Sequence, residues 1–203
     1  AITSVLAAID NATVVEVQIQ DPGSGYAIDY GQPKVTFESP EAGKGYKAAE
    51  GEAVLRPNGL ILRIDILNRG VGYSELPSIT ITPPLGSLTN SMDSEGSSSS
   101  TKYARATAKV ILFKDGISKG QIERIQLIDP GKGYLDDEII TVDISPPDSE
   151  GWISAKAEAV REYEVGSIKI LNGGSGYVDE KSILVYVDPP SASTRVSIKE
   201  PVI

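Results

Sequence analysis

A six-residue turn that occurs four times constrains this chain more than any other feature of its sequence. The copies are DPGSGY at 21–26, NRGVGY at 68–73, DPGKGY at 129–134 and NGGSGY at 172–177. Glycine adopts positive backbone φ angles without the steric penalty that other residues meet, and proline presets the first position of a turn. The sequence therefore predicts four tight turns of one conformation.

The residues of the turns have separate predicted roles. The Asp or Asn that opens each turn can accept hydrogen bonds from the turn's own backbone amides. Each tyrosine is expected to pack its ring over the glycine backbone and to direct its hydroxyl to a partner. The predicted structural turn motif comprises Gly23, Gly25, Tyr26, Gly70, Gly72, Tyr73, Gly131, Gly133, Tyr134, Gly174, Gly176 and Tyr177.

Alternating apolar residues flank each turn, as in strands with one buried face. The runs before the turns contain Val15, Val17 and Ile19; Ile61, Ile64 and Ile66; Ile122, Ile125 and Leu127; and Ile168, Ile170 and Leu171. The runs after them are PKVTFESP (33–40), PSITITPP (77–84), EIITVDISPP (138–147) and SILVYVDPP (182–190). Proline cannot donate to a β-ladder, so each terminal proline is expected to stop its strand.

A third element consists of small residues that alternate with polar ones. It occurs as KAAEGEAV (47–54), YARATAKV (103–110) and ISAKAEAV (153–160). One face made of Ala and Gly either lets another layer of backbone approach closely or leaves room for large residues opposite. The GKGY at 43–46 leads directly into such a segment, so we interpret it as an extra turn and expect Tyr46 and Trp152 to fill equivalent positions.

The spacing of the tyrosines predicts an internal duplication. Tyr134 follows Tyr26 by 108 residues, and Tyr177 follows Tyr73 by 104. We therefore predict two homologous halves, 1–90 and 102–190, each with two repeats. The predicted fold class is all-β, with four GxGY β-repeats arranged as two homologous halves of antiparallel sheets with pseudo-two-fold symmetry.

Two further segments complete the predicted organisation. Residues 91–101 form a Ser-rich linker within a longer stretch, 85–101, that is poor in apolar residues and is expected to be a flexible linker or long loop. In the C-terminal tail, 191–203, Val196 and Ile198 alternate with polar residues and predict a short strand. That strand either returns to its own sheet or adds to the edge of a neighbouring copy, which makes both residues candidate assembly contacts.

The composition excludes several classes of function. The chain has no Cys and no His, which removes disulfides, thiolate chemistry and the usual His-dependent catalytic and metal sites. The net charge of −9 opposes nucleic-acid binding, and no apolar stretch approaches the ~20 residues of a membrane helix. We predict no enzymatic activity, no catalytic residue, no cofactor and no metal site. Residue 1 is Ala rather than Met, which indicates a mature or trimmed chain.

The turns and acids could in principle bind ligands. The GxGY turn lacks the third glycine and the following helix of a dinucleotide-binding motif, so a structural role is favoured over a phosphate cradle. Acidic residues follow the turns, and we interpret them as solvated loop acids, with a weak calcium site as the alternative. These acids are Asp29, Glu75, Asp136, Asp137, Glu138, Asp179 and Glu180.

The whole unit, from alternating strand through D/N-x-G-x-GY to the double proline and the AxAxA strand, resembles a GxGY β-repeat of bacteriophage structural proteins. The two-half arrangement, with an acidic chain and a Ser-rich joint, is similar to the pyrenoid shell (PyShell) proteins of algal chloroplasts. The resemblance extends from about Val14 to Pro190. It implies no catalytic residue.

The resemblance implies a structural protein that self-assembles into a sheet around the Rubisco-containing pyrenoid and supports CO2 concentration and fixation. The implied location is the chloroplast stroma at the pyrenoid periphery. The implied partners are other copies of the chain, with Rubisco or the pyrenoid matrix as further candidates. Two alternatives stay open: a bacteriophage tail or fibre module, and a calcium- or glycan-binding β module.

Overall fold

The computed structural model describes residues 4–40, 45–89, 102–148, 152–179 and 183–191, and these are mostly β-strand, so the all-β prediction is confirmed. These ranges contain two short helices, a 3-10 helix at Ile28–Tyr30 and α1 at Leu85–Thr89. The strands are β1 (Ser4–Asp10), β2 (Thr13–Asp21), β3 (Val35–Phe37), β4 (Glu50–Asn68), β5 (Ile79–Ile81), β6 (Thr107–Leu112), β7 (Ile122–Asp129), β8 (Val142–Ile144), β9 (Lys156–Asn172) and β10 (Val185–Val187).

The strands form several small sheets of two strands each. The pairs are β1–β2, β3–β10, β4–β9, β5–β8 and β6–β7. The pairs β1–β2 and β6–β7 are antiparallel hairpins that lead into the turns at 21–26 and 129–134, whereas β3–β10 and β5–β8 join antiparallel strands that are distant in sequence.

The chain divides into two compact units. Unit 1 consists of Ala1–Pro57 and Tyr163–Ala192, and unit 2 consists of Asn58–Glu162 and Ser193–Ile203. Unit 1 therefore contains the turns ending at Tyr26 and Tyr177, and unit 2 contains those ending at Tyr73 and Tyr134. This grouping of the turns differs from that of the predicted sequence halves, 1–90 and 102–190. The halves describe an internal duplication, which stays a prediction.

Unit 1 is built around one apolar cluster. Its most buried members come from β2, β4 and β9 and include Val14, Ala53 and Val165. The tyrosines of both turns, Tyr26 and Tyr177, belong to this cluster. The sheet β3–β10 contributes Phe37 and Val187, so the strands that follow the turns also face this core.

Unit 2 buries two clusters. One contains Ile61, Ile64, Ile81, Ala106 and Tyr134. The other contains Ile66, Tyr73, Val110, Ile122 and Ala155. Ile79 and Ile125 pack against both, so the apolar side chains of β5 and β7 connect the two parts of this core.

The strands that follow the turns end where proline was expected to end them. Strands β5, β8 and β10 each finish two residues before a double proline, at 83–84, 146–147 and 189–190. Strand β3 ends at Phe37, before Pro40. These predictions are confirmed.

Two predicted core positions are wrong because of the local strand geometry. Val15 is half exposed, whereas Val14 is buried, since the register of β1–β2 shifts between Ala8 and Ile9 and leaves Val15 without a pairing partner. Such a bulge turns the following side chains by one position. Leu171 is also more than half exposed, because it follows the inward-facing Ile170 at the end of β9.

Strand continuity and the proposed loop also differ from expectation. The small-residue segments at 47–54 and 153–160 run without interruption into the next alternating run, which produces the long strands β4 and β9 of 19 and 17 residues. Residues 85–89 are helical rather than part of a loop. The linker 91–101 and the tail residues Val196 and Ile198 lie outside the described residues.

Candidate functional site

The four GxGY turns adopt the same backbone conformation. The first glycine of the GxG has φ between 65° and 71°, and the second has φ between 83° and 97°. This is the left-handed region, which glycine enters easily and other residues do not. The positive φ angles predicted from the sequence are present at all eight glycines.

The residue that opens each turn closes it by a side-chain hydrogen bond. In every case the carboxylate or amide Oδ1 accepts the amide of the residue two positions later at 2.8–2.9 Å. The four pairs are Asp21 with Gly23, Asn68 with Gly70, Asp129 with Gly131 and Asn172 with Gly174. These contacts are the ones that the sequence predicted.

The tyrosine hydroxyls of unit 2 bind the small-residue segments. The Tyr134 hydroxyl accepts the Ala106 amide at 2.9 Å and donates to the Thr82 carbonyl at 3.0 Å. The Tyr73 hydroxyl accepts the Ala155 amide at 2.9 Å. Burial of Tyr134 raises the pKa of its phenol above the usual value, although the hydrogen bond from Ala106 opposes that shift.

Unit 1 uses its tyrosines in a related way. The Tyr177 hydroxyl accepts the Ala49 amide at 2.8 Å and donates to the Glu38 carbonyl at 3.1 Å. The Tyr26 hydroxyl donates to the carbonyl of Asp188 at 3.0 Å. Each of these contacts joins segments more than 100 residues apart in the sequence, so the tyrosines fasten distant parts of the chain to one another.

An aromatic ring lies over the second glycine of three turns. A Cβ added to Gly72 would lie 2.3 Å from Trp152, one on Gly133 would lie 2.5 Å from Tyr103, and one on Gly176 would lie 2.2 Å from Tyr46. Only a residue without a side chain fits under these rings. We call the three aromatic residues the lids.

The position of each lid in the sequence is related to the hydrogen bond of the turn tyrosine. Each lid lies three residues before the alanine whose amide binds the turn tyrosine. The prediction that Tyr46 and Trp152 fill equivalent positions is confirmed. Tyr103 was not predicted, although an aromatic three residues before Ala106 is a signal that the sequence contains. The pairs are Tyr46 with Ala49, Tyr103 with Ala106, and Trp152 with Ala155.

Of the acids that follow the turns, all that the structure describes are solvent-exposed except one. Asp29, Glu75, Asp136, Asp137 and Asp179 are exposed as predicted, and Glu180 lies outside the described residues. The prediction is wrong for Glu138, which is buried. Its Oε2 accepts the Leu85 amide at 2.9 Å at the start of α1, so this carboxylate is held by the backbone of the short helix.

Within the described residues, no group of three or more Asp, Glu, His or Cys side chains is placed to hold a metal ion. The described helices are also too short or too polar to cross a membrane. No protein-family model, curated protein or solved structure matches the chain. The arguments for function therefore depend on the geometry of the turns and on the surface of the two units.

Proposed function

We propose that this chain is a non-enzymatic structural protein that assembles with copies of itself into a sheet-like or tubular lattice. The observation that carries the proposal is the internal use of the repeated turn. Each opening Asp or Asn binds an amide of its own turn, and each tyrosine hydroxyl joins two distant segments. A turn whose polar groups bind within the chain contributes rigidity rather than ligand recognition.

The proposed architecture is four GxGY repeats that form two homologous halves with pseudo-two-fold symmetry. Three features support it: the common φ angles of the turns, the common side-chain hydrogen bond, and the lid that recurs three residues before a bonded alanine. The spacings of 108 and 104 residues between corresponding tyrosines also support a duplication.

The proposed setting is the shell of the pyrenoid, at its periphery in the chloroplast stroma. This part of the proposal is supported by the resemblance of the repeat and of the acidic, two-half chain to pyrenoid shell proteins. In that setting the lattice would enclose Rubisco, limit the loss of CO2 and so support carbon fixation. Its partners would be other copies of the chain, together with Rubisco or the pyrenoid matrix.

The surface of both units supports self-association. Large apolar side chains are exposed in loops that flank the turns, among them Ile139 at 83% and Val178 at 89%. Ile117, at the tip of the β6–β7 hairpin, is fully exposed. Association that removed such residues from water would be favourable by roughly 25 cal/mol per Å² of apolar surface.

Electron microscopy of negatively stained protein, combined with size-exclusion chromatography across salt and pH, tests the proposal. Sheets or tubes are the expected result. A small closed oligomer would instead favour the phage-type module. A monomer under every condition would contradict self-assembly and direct attention to calcium or glycan binding, which a ligand-dependent rise in melting temperature would reveal.

Deletion of residues 191–203 provides a second test of the same proposal. Assembly that persists without this tail would show that the lattice contacts lie in the two units. Assembly that is lost would assign an inter-subunit role to Val196 and Ile198. The circular dichroism spectrum and the melting curve of the truncated chain should match those of the full chain if the tail acts only between subunits.

A further inference from the structure

Unit 2 contains a groove whose lining is both apolar and basic. Its volume is about 750 Å³, within the range of roughly 300–1,000 Å³ typical of ligand-sized pockets. The groove runs along β6 and reaches the segment that follows the Tyr73 turn. We name it the basic groove and define it by Leu76, Lys109, Leu112, Phe113, Lys114 and Lys119.

Strand β6 presents an open edge to this groove. Within the described residues β6 pairs only with β7. The Phe113 amide binds the Gln121 carbonyl on the β7 side, at 3.0 Å. Backbone groups alternate in direction along a strand, so those of Val110 and Leu112 point to the opposite side. An open edge of this kind is a ready partner for another chain.

The charge of the groove is opposite to that of the protein. Three lysines line it, and Glu75 is the one acid among its described lining residues. The whole chain carries a net charge of −9. A second copy of the same chain is therefore an electrostatically complementary partner, because opposite potentials favour encounter and orientation.

An exposed acidic turn of the same unit carries the charge that complements the basic groove. The chain turns at Asp136 and Asp137, both exposed, directly after the Tyr134 turn. Two apolar residues flank these acids, Leu135 at 49% exposure and Ile139 at 83%. We name residues 135–139 the acidic corner. None of them lines the basic groove.

We propose that the basic groove of one copy receives the acidic corner of a second copy. The lysines pair with Asp136 and Asp137, and the exposed leucine and isoleucine of the corner contact Leu76, Leu112 and Phe113. The groove and the corner are different surfaces, so the contact is heterologous. A heterologous contact that does not close into a ring propagates into an open assembly, which fits a lattice. This inference rests on the proposed self-assembly and names its contact surface.

Charge reversal tests the contact. The double variant K109E/K114E changes two exposed lysines of the groove, and K132E/K156E makes the same change in net charge at two exposed lysines outside it. We expect the groove variant to raise the concentration needed for assembly at least about tenfold. The control variant should stay within about threefold of the unchanged chain. Sedimentation of the assembled fraction across protein concentration measures both.

A charge exchange identifies the occupant. The variant D136K/D137K should also impair assembly, and the combination K109E/K114E/D136K/D137K should restore it while keeping the original net charge. The combination K132E/K156E/D136K/D137K has the same net charge and should not restore assembly. Raising the salt concentration should weaken the unchanged contact, since ions screen exposed charges beyond about 8–10 Å.

The possible failures are distinguishable. If the unchanged chain assembles and K109E/K114E assembles as well as its control, the groove contact is wrong and self-assembly stands. If the quadruple variant K109E/K114E/D136K/D137K does not restore assembly, the acidic corner is not the occupant. If the unchanged chain never assembles, both proposals fail. The neutral variant K109Q/K114Q should give a smaller loss than K109E/K114E, and identical melting curves would exclude misfolding as the cause.

Discussion

The two compact units contain two GxGY turns each, but they organise their cores differently. Unit 1 gathers Tyr26 and Tyr177 into one apolar cluster. Unit 2 places Tyr134 and Tyr73 in separate clusters, which Ile79 connects. The same turn can therefore support one continuous core or two adjoining ones, and the difference arises from how the strands between the tyrosines distribute their apolar side chains.

The surroundings of the second glycine differ as well. In unit 2 each turn has its own aromatic lid, Trp152 at Gly72 and Tyr103 at Gly133. In unit 1, Tyr46 is the lid of Gly176, but a Cβ added to Gly25 would meet only the ring of Pro190, at 3.4 Å, an ordinary contact distance. The turn sequence thus determines the local backbone, whereas the segment packed against it determines how much space an added side chain would find.

Removal of a turn tyrosine is expected to have the largest effect and tests whether the units are separate cooperative bodies. Tyr134→Ala or Tyr177→Ala removes a buried ring with its hydrogen bonds and should lower the free energy of unfolding by about 3–5 kcal/mol. Trp152, the single tryptophan, reports on unit 2. We expect its fluorescence transition to shift with Tyr134→Ala more than with Tyr177→Ala in urea titrations.

Circular dichroism in the same titrations provides the control, because it reports on the strands of both units. Tyr177→Ala should shift the circular dichroism transition more than the fluorescence transition. If both variants moved both signals equally, the two units would unfold together and their comparison as separate bodies would fail.

A pair of glycine substitutions in unit 2 separates the stability cost of crowding next to a lid from the cost of backbone strain. Gly133 and Gly116 both have positive φ, 83° and 75°. A Cβ at Gly133 would meet Tyr103 at 2.5 Å and the Lys102 carbonyl oxygen at 2.9 Å, whereas none of the described atoms lies within 4 Å of a Cβ at Gly116. Gly133→Ala should cost about 3 kcal/mol and Gly116→Ala about 1 kcal/mol, as measured by chemical denaturation. Equal losses would show that the crowding at Gly133 adds nothing to the cost of backbone strain.

Removal of the hydroxyl alone tests whether the turns of the two units are equivalent. Tyr134→Phe leaves the Ala106 amide and the Thr82 carbonyl without their partner, and Tyr177→Phe does the same to Ala49 and Glu38. Each substitution should lower the free energy of unfolding by about 1–3 kcal/mol. Losses that differ by more than the error of the denaturation curves would show that the two contacts are not interchangeable.

The smallest expected effect is a loss of stability in unit 2 at alkaline pH. Burial raises the pKa of the Tyr134 phenol in the folded state, so above about pH 10 the folded chain retains a proton that the unfolded chain releases. The contribution of this phenol to the free energy of unfolding is therefore fully present below about pH 10 and falls as the pH rises further. Tyr134→Phe should lack this part of the alkaline loss in melting curves recorded from pH 9 to 11.

The strands and turns could be predicted because their signals are local. Alternation of apolar residues identifies a strand with a buried face, and glycine pairs with an opening Asp or Asn identify the turn. The Val15 error has a physical origin that the sequence does not reveal: a bulge between Ala8 and Ile9 of the β1–β2 pair leaves Val15 as an extra residue and shifts the alternation by one position. The buried Glu138 was missed for a similar reason, since its partner Leu85 lies 53 residues away.

The choice of partners could not be predicted from the turns. The four turns resemble one another, and so do the three small-residue segments. Their sequences therefore do not say which alanine binds which tyrosine. Tyr134 binds an alanine 28 residues earlier, whereas Tyr177 binds one 128 residues earlier. This selection depends on the packing of whole strands, and it determines which turns share a compact unit.

The division of the chain into units has a consequence for its synthesis on the ribosome. Residues 1–57 are translated before Asn58–Glu162 of unit 2, whereas the strands that complete unit 1, within Tyr163–Ala192, are translated after that segment. At usual rates of translation the first segment waits on the order of 5 to 20 s for its partners. Its apolar residues stay uncovered during that interval while unit 2 becomes available to fold. A chaperone that holds the nascent N-terminal segment would therefore favour unit 1 more than unit 2.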